Sequence, residues 1–424
     1  MKKTFTWNLF LLAAVPFFAI SCATDNGDHP GPGGSGSDDK GYADPNGVFI
    51  VNEGPDVYES GSLVYIAPDG TASESDPYEA VNHSQMGYMG QDMYLYDGKY
   101  YILCQNETYD GGEMTGDGQL IVVDAKTLTK IAAYDTDMLR AEMSETDDDE
   151  NILQNPTNVM VLDEHNVFIC DNRGMSRFDC TTKQMVRIEG TYRWANNGSN
   201  LAGNIGSRGI AVIGDRIYAS AGGWSMATSD ARFGIYEFTK GATGINRMLS
   251  ISNSSKITGL CADGGYLWVA TTIYEDHIAG TIRGENAVYK VDPETMTIVK
   301  TYPIRKGDLS LTDRTSSITV LGDNIYYTGG TTNIYRFNTS DNTTTLLGDA
   351  SSFDPAARVL YNNIVVNPAN GYVYMTTIGE NSATGYTTNN ILVFDVSGDE
   401  LKLVANYKGL TCFPAGIICV SRFE

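Results

Sequence analysis

Residues 286–300 read NAVYKVDPETMTIVK: a short β-rich run, an Asp, a few polar turn residues, and a second β-rich run. The line returns as LIVVDAKTLTKI from Leu120, SRFDCTTKQMVRI from Ser176, NIYRFNTSDNTTTLL from Asn333 and ILVFDVSGDELKLV from Ile391. Two such runs around a polar turn form a hairpin signal. A hairpin copied along a chain signals a repeat architecture, because one unit cannot bury its own apolar faces.

A fuller unit surrounds each copy. ITGLCADGGYLWVATT precedes AVYKVDPETMTIVKTY, SSITVLGDNIYYTGG precedes NIYRFNTSDNTTTLL, and NNIVVNPANGYVYMTT precedes NILVFDVSGDELKLVANY. Each unit therefore predicts four strands, a to d, with Gly/Asp/Asn turns between a and b and the DPET-like turns between c and d. Six units follow one another, with a–b turns near Asp97-Gly98, Glu164-His165, Gly214-Asp215, Gly264-Gly265, Gly322-Asp323 and Asn370-Gly371. The ends supply a seventh. GVFIVNEG…GSLVYIAPDGTAS offers strands b, c and d without an a, and PAGIICV near the C-terminus is a lone strand. The prediction is an all-β, seven-bladed β-propeller closed by the C-terminal strand joining the N-terminal blade, its blades slightly longer than the usual ~40–50 residues. Periodicity alone leaves room for an eighth blade. The acidic segment YDTDMLRAEMSETDDDENIL, Tyr134 to Leu153, reads instead as an insertion.

Composition agrees: 42% hydrophobic and 19% charged, with 45 glycines and 26 tyrosines that favour turns and strands. A net charge of -23, from 52 acidic and 29 basic residues, argues against binding nucleic acid through its phosphates.

The first residues are an address. MKK is basic, NLFLLAAVPFFAI is apolar but too short to span a bilayer, and Ser21 precedes Cys22. Residues 1–21 look like a bacterial lipoprotein signal with Cys22 as the lipidated residue, an ordinary secretory signal being the alternative. Residues 22–45, rich in Gly, Pro, Ser and Asp, cannot bury a core and read as a flexible tether. Residues 46–424 form the propeller. Asp25 and Asp28 resemble the signal that carries such lipoproteins to the cell surface. Cys104, Cys170, Cys261 and Cys419 sit within apolar runs and read as small buried hydrophobes. Without a CxxC pair a zinc site is not indicated.

In a four-stranded antiparallel blade the a–b and c–d turns leave on one face, the b–c and d–a connections on the other. The first class is short throughout. The second is long: b–c loops from Glu107, Gly222, Ile273 and Ile378, and d–a loops from Thr191 and Ile304. Long loops gathered on one rim of a rigid ring predict a binding face. Its candidate ligand-binding residues are Tyr109, Tyr192, Trp194, Trp224, Arg232, Tyr274, Arg283 and Tyr386, aromatics interleaved with polar groups and suited to a large ligand with a flat apolar part. Trp268, in YLWVA, reads as core. The four histidines form no HExxH pair, and neither a GxSxG elbow nor a P-loop occurs, so no catalytic or metal residues are assigned.

VFIVNEGPDVYESGSLVYIAPDGT, the IVVDAKTL and VDPETMTIV lines, and the closing PAGIICV resemble a family of exported YncE-like seven-bladed propeller lipoproteins of Bacteroides-type bacteria. The resemblance runs from Gly47 to Val420, and its most distinctive element is Asn52-Glu53-Gly54. It implies a lipid-anchored outer-membrane protein facing the cell exterior. Such a protein captures a bulky cofactor, cobalamin foremost, as cargo rather than catalytic cofactor, and passes it to a TonB-dependent outer-membrane transporter. Three alternatives stand beside it: a siderophore-capture propeller, a surface scaffold for proteins or glycans, and, more distantly, a carbohydrate-active hydrolase or lyase.

Overall fold

The computed structural model describes residues 40–54, 60–107, 115–143, 151–191, 205–206, 209–221, 234–251, 256–276, 280–309, 316–355, 357, 364–377 and 389–423; for Ala221, Lys256, Tyr274, Glu275, Asp276 and Arg283 only the backbone is described. Six four-stranded antiparallel sheets and one three-stranded sheet follow one another as blades, inner strand first. Blade 2 comprises Tyr88–Tyr96, Lys99–Asn106, Leu120–Asp124 and Lys130–Tyr134. Blade 3 comprises Asn158–Asp163, Asn166–Asp171, Gly174–Asp179 and Gln184–Arg187. Blade 4 comprises Ile210–Ile213, Arg216–Ala221, Gly234–Thr239 and Arg247–Ser250. Blade 5 comprises Lys256–Asp263, Tyr266–Thr272, Ala287–Asp292 and Thr297–Pro303. Blade 6 comprises Ile318–Leu321, Asn324–Tyr327, Asn333–Asn338 and Thr343–Asp349. Blade 7 comprises Ile364–Val366, Val373–Thr376, Asn389–Asp395 and Lys402–Thr411. Blade 1 joins the two ends of the chain: Pro414–Cys419 is its inner strand, beside Val48–Asn52 and Ser62–Ile66.

The recurring Asp or Asn of the hairpin line shapes the outer turn. Asp124 Oδ1 accepts the N–H groups of Lys126 and Thr127, Asp179 Oδ1 those of Thr181 and Thr182, and Asp292 Oδ1 those of Glu294 and Thr295. Four residues after Asp124, Asp179, Asp292 and Asn338 the backbone becomes left-handed, at Leu128 (φ 60), Lys183 (φ 58), Met296 (φ 51) and Asn342 (φ 61); the turn at Asp395 does not share this feature. The side chain holds the turn's donors while the chain reverses, the usual role of Asp and Asn in turns. The inner a–b turns work differently. Asp97 (φ 46) and Gly98 (φ 68) are both left-handed, the geometry that matches the twist of a two-residue hairpin.

Between the blades lies the core. Strand residues alternate faces, so Phe49 and Val51 pack towards blade 2 while Val48 and Ile50 pack towards blade 7. Seven apolar clusters result, one at each blade-to-blade interface. An open row of seven sheets would have six interfaces; the cluster joining Val48, Ile50 and Cys419 to Tyr374, Ile391 and Val393 is the seventh and closes the ring. Trp268 is core, 2% exposed and stacked on Tyr302. Cys104, Cys170 and Cys419 are buried and unpaired, as is the partly exposed Cys261.

Asn52-Glu53-Gly54 latches this seam. Asn52 Oδ1 accepts the Cys412 N–H (3.3 Å). The Glu53 N–H donates to Phe413 O (2.9 Å), and the Gly54 N–H to Cys412 O (3.4 Å). Gly54 has φ 120, a conformation that side chains oppose.

Two local expectations are revised. The outer strand predicted for blade 1 shrinks to a single bridge, Ile66 with Ala72. Beyond it the Asp76 carboxylate accepts the Leu63 and Tyr78 N–H groups, capping a short helix, Pro77–Asn82, that occupies the outer edge instead. Proline at a helix start loses no hydrogen bond, which favours this exchange. The connection from Ile273 is not all loop either: Tyr274–Asp276 and Thr281–Arg283 pair as a small hairpin. The acidic insertion adds no blade. Leu139 within it is buried, Arg140 bridges Ile152, and residues 144–150 lie outside the described residues.

Candidate functional site

The inner strands surround a cavity of about 200 Å3 on the axis of the ring. Its two ends differ because of how the ring closes. In blade 1, Cys419 pairs with Val48, so the chain leaves the inner strand on the face that carries the short a–b turns. There the turn Val420–Phe423 folds across the opening. Ser421 Oγ donates to Asn367 Oδ1 (2.8 Å), and Arg422 Nη2 donates to Thr319 Oγ1 and Val366 O (2.9 Å each). Phe423 meets Tyr94 edge to face, with ring centroids 4.8 Å apart. One short segment thus ties blades 2, 6 and 7 and plugs that end. The opposite face carries the long connections.

The cavity wall is mostly apolar, with Gln91, Asp92, Asn158, Thr319 and Arg422 set into it. Adjacent inner strands are not paired in one sheet, and polar side chains tie them instead. Asp92 Oδ2 accepts the Val159 N–H from blade 3 (3.0 Å), while Oδ1 accepts the neighbouring Met93 N–H (2.9 Å). Ser317 Oγ donates to Thr258 Oγ1 (2.9 Å), and the Val366 N–H donates to Thr319 Oγ1 (3.2 Å). Between blades 1 and 2, Gln91 Nε2 donates to the buried carboxylate of Glu53 (2.8 Å). Burial pushes the Asp92 carboxyl up to about 7, its two backbone hydrogen bonds and Asn158 only partly offsetting the loss of water. Desolvation likewise raises the Cys261 thiol to about 12, far from thiolate reactivity.

Sequence reading placed the site elsewhere, on the loops. Cys22, Tyr109, Tyr192, Trp194, Trp224, Arg232 and Tyr386 lie outside the described residues. Tyr274 and Arg283 are brought together as direct cross-strand partners in the blade 5 hairpin. That hairpin projects Ile282, 74% exposed, from the long-connection face. The axial residues Asp92, Asn158, Thr319 and Arg422 escaped the sequence reading. The available signal was a polar pair, Gln91-Asp92, interrupting the otherwise strand-like YMGQDMYLY.

Other chemistry-bearing residues among the described ones sit in structural positions. Asp117 is held by Tyr78, by Ser84 (2.6 Å) and by Lys130 (2.5 Å). His83 ends the short helix in a left-handed conformation, and His165 stands in an exposed a–b turn 3.2 Å from Asp179. Among the described residues no group of three or more His, Cys, Asp or Glu is placed to hold a metal ion.

Seven antiparallel blades, an axial cavity and a seam made from both chain ends define a β-propeller of the closed, seven-bladed class. The chain matches, over residues 46–419, the family described as a domain of unknown function (DUF5074), and it belongs to that family. No curated protein matches it. Among solved structures, puromycin hydrolase is similar with a TM-score of 0.50 at 11% identity, over 86% of this chain and 52% of that one. The computationally designed Ika8 protein is similar with a TM-score of 0.44 at 10% identity, over 83% and 85% of the two chains. BamB from Moraxella catarrhalis is similar with a TM-score of 0.39 at 13% identity, over 76% and 79%. At such identities the likeness is one of fold.

Proposed function

We propose that this propeller is a non-enzymatic capture protein for a bulky ligand. The observation that carries this reading is the asymmetry of the ring: the C-terminal turn plugs one end, and the long connections emerge at the other. A cavity of about 200 Å3 is smaller than the ~300–1,000 Å3 pockets that enclose drug-sized ligands, so a bulky cargo would rest on the loops. The family resemblance drawn from Asn52-Glu53-Gly54 and the hairpin lines makes cobalamin the first cargo to test. The same reading has Cys22 anchor the protein by lipid in the outer membrane, facing outwards, with a TonB-dependent transporter as the recipient. The exposed Ile282 and Ile273, 74% and 51% exposed on one rim, favour a macromolecular contact there, which accommodates a transporter or the alternative scaffold role.

The test is titration calorimetry of Ser37–Glu424, the compact unit, against cyanocobalamin, with a ferric catecholate siderophore in parallel. Saturable one-to-one binding of cobalamin, weakened by Trp194→Ala or Trp224→Ala, supports capture. Folded protein that binds neither ligand refutes both cargo readings and directs the search to protein or glycan partners.

A further inference from the structure

The outer edges of the blades are joined by a repeated contact. A side chain of one blade donates to a main-chain carbonyl in the c–d turn of the blade that follows. In blade 2 the Tyr134 hydroxyl donates to Cys180 O (3.2 Å). In blade 3, Arg177 Nε donates to Ala242 O (3.2 Å). Blade 4 uses Arg247, which donates to Pro293 O (3.0 Å) and Glu294 O (2.7 Å). Blade 6 uses Arg336, which donates to Val396 O (3.0 Å) and Gly398 O (2.7 Å). From blade 7 the Tyr407 hydroxyl donates to Gly70 O (2.6 Å), in the turn that follows the last strand of blade 1. Blade 1 reaches blade 2 through Asn82, whose Nδ2 donates to Leu128 O (2.9 Å). Every one of these contacts points the same way round the ring. Blade 5 is the exception. Among the described residues none of its groups donates to a carbonyl of residues 339–342, the c–d turn of blade 6; Lys306 Nζ meets Thr344 O, in the strand beyond that turn, at 3.5 Å.

One repeat position accounts for the exception. The fourth residue of strand c is Arg177 in blade 3 and Arg336 in blade 6, and both make the contact. In blade 4 it is Glu237, whose carboxylate holds the Arg247 guanidinium that makes it. In blade 5 it is Lys290. A guanidinium presents several donors in a rigid fork, whereas an ammonium is a point charge on a flexible stem. Lys290 Nζ stands instead over the Tyr266 ring, 3.9 Å from its centroid. The inner edge of the same interface is firmly tied: the Ser317 N–H donates to Thr258 O (2.9 Å), and the Gly322 N–H to Asp263 Oδ2 (3.1 Å). Trp268, Tyr302, Ile325 and Phe337 pack its middle. We propose that the outer contacts form a girdle that stiffens the ring, and that the blade 5–6 interface, where the girdle is interrupted, is the hinge at which the ring flexes. Fastened at the axis and free at the rim, these two blades swing about their inner edges. Motion there changes how far the blade 5 hairpin, Tyr274–Asp276 with Thr281–Arg283, stands from blade 6. The device is independent of the cargo assigned to the loop face.

Hydrogen exchange of the full-length chain, read by mass spectrometry, tests this, because local opening is reported region by region through the amides it exposes. Peptides covering the outer hairpin of blade 6, Asn333–Asn338 with Thr343–Asp349, are expected to show protection at least tenfold lower than those covering the outer hairpins of blades 3, 4 and 7. Lys290→Arg supplies the missing fork and should raise protection in blade 6 at least threefold. Arg336→Lys copies the blade 5 residue into blade 6 and should lower protection in the outer hairpin of blade 7, Asn389–Asp395 with Lys402–Thr411, at least tenfold. Both substitutions keep the charge and lie towards the outer edge of the ring, and the comparison within the wild-type protein needs neither. Equal protection of the outer hairpins in the wild-type ring overturns the proposal. So does the failure of either substitution to move protection in the stated direction.

Discussion

Asp92→Asn isolates the electrostatic cost of the polar inner ring. The Asp92 carboxyl is pushed up to about 7 from its ordinary value of 3.8, chiefly by desolvation. The sign follows from proton binding. Between those two values the native state holds a proton that the unfolded chain has released, so stability falls as pH rises through this window and levels off above about 7. A difference of about 3 units at 1.36 kcal/mol each amounts to about 4 kcal/mol of stability present below the unfolded value and absent at pH 8. Asparagine cannot ionise, and it keeps an oxygen for one of the two N–H groups. Urea unfolding followed by tryptophan fluorescence, at half-unit steps from pH 4 to pH 8, measures both proteins. Wild-type stability should drop by about 4 kcal/mol more than the variant's across that range. Asp76, raised by burial to about 6, contributes a slope of the same sign to both and cancels in the difference. Parallel pH profiles would refute the reasoning, for they would mean that Asp92 is not desolvated in the folded protein.

Three further outcomes are expected. In blade 3, Arg187 and Asp171 form a buried ion pair (2.8 Å), and Arg187 also donates to Ser176 and to Ile152 O; Arg187→Ala should cost about 3–5 kcal/mol in denaturant unfolding by leaving the carboxylate unpaired. Truncation after residue 413 removes the inner strand of blade 1 and the axial plug together, and should replace one cooperative thermal transition by a broad one at lower temperature in circular dichroism. Cys22→Ser should move the protein from the detergent phase to the aqueous phase in a partition assay, and mass spectrometry should show the loss of the acyl chains.

Most of the ring was legible because its information is local. A Gly/Asp/Asn pair makes an a–b turn wherever it falls between two β-rich runs, and all six predicted a–b turns lie between paired strands. Closure was legible for a different reason: PAGIICV had no partner nearby in sequence, and GVFIVN lacked an inner neighbour. Blade 1's outer edge misled because GTAS reads as strand until Asp76-Pro77 is weighed as a helix start. The axial residues were illegible because their roles depend on the convergence of strands far apart in sequence. Thr319 and Arg422 are 103 residues apart, and nothing in either neighbourhood announces the other. The loop face is an intermediate case. Topology fixes which rim the loops occupy, but ligand chemistry depends on how their aromatic side chains are arranged, which no local pattern encodes.

The seam explains how such a chain closes without a covalent link. Asn52 and Cys412 meet across 360 residues. Bringing the ends of a flexible chain of that length together costs about 5 kcal/mol from the logarithmic term alone, (3/2)RT ln n. Against this stands the seventh apolar cluster, in which Val48, Ile50, Ile391 and Cys419 are fully buried. Burying a large aliphatic side chain contributes about 1.5–3 kcal/mol, so a few such residues offset the closure cost, and the Asn52-Glu53-Gly54 hydrogen bonds then fix the register. Closure is cheapest after the six continuous blades have stacked, because the stack brings the two ends near one another. The chain's final residues therefore do two jobs in one step: Pro414–Cys419 completes blade 1, and Val420–Phe423 carries Arg422 to the axis. The cation at the centre of the ring is placed by the same event that makes the ring.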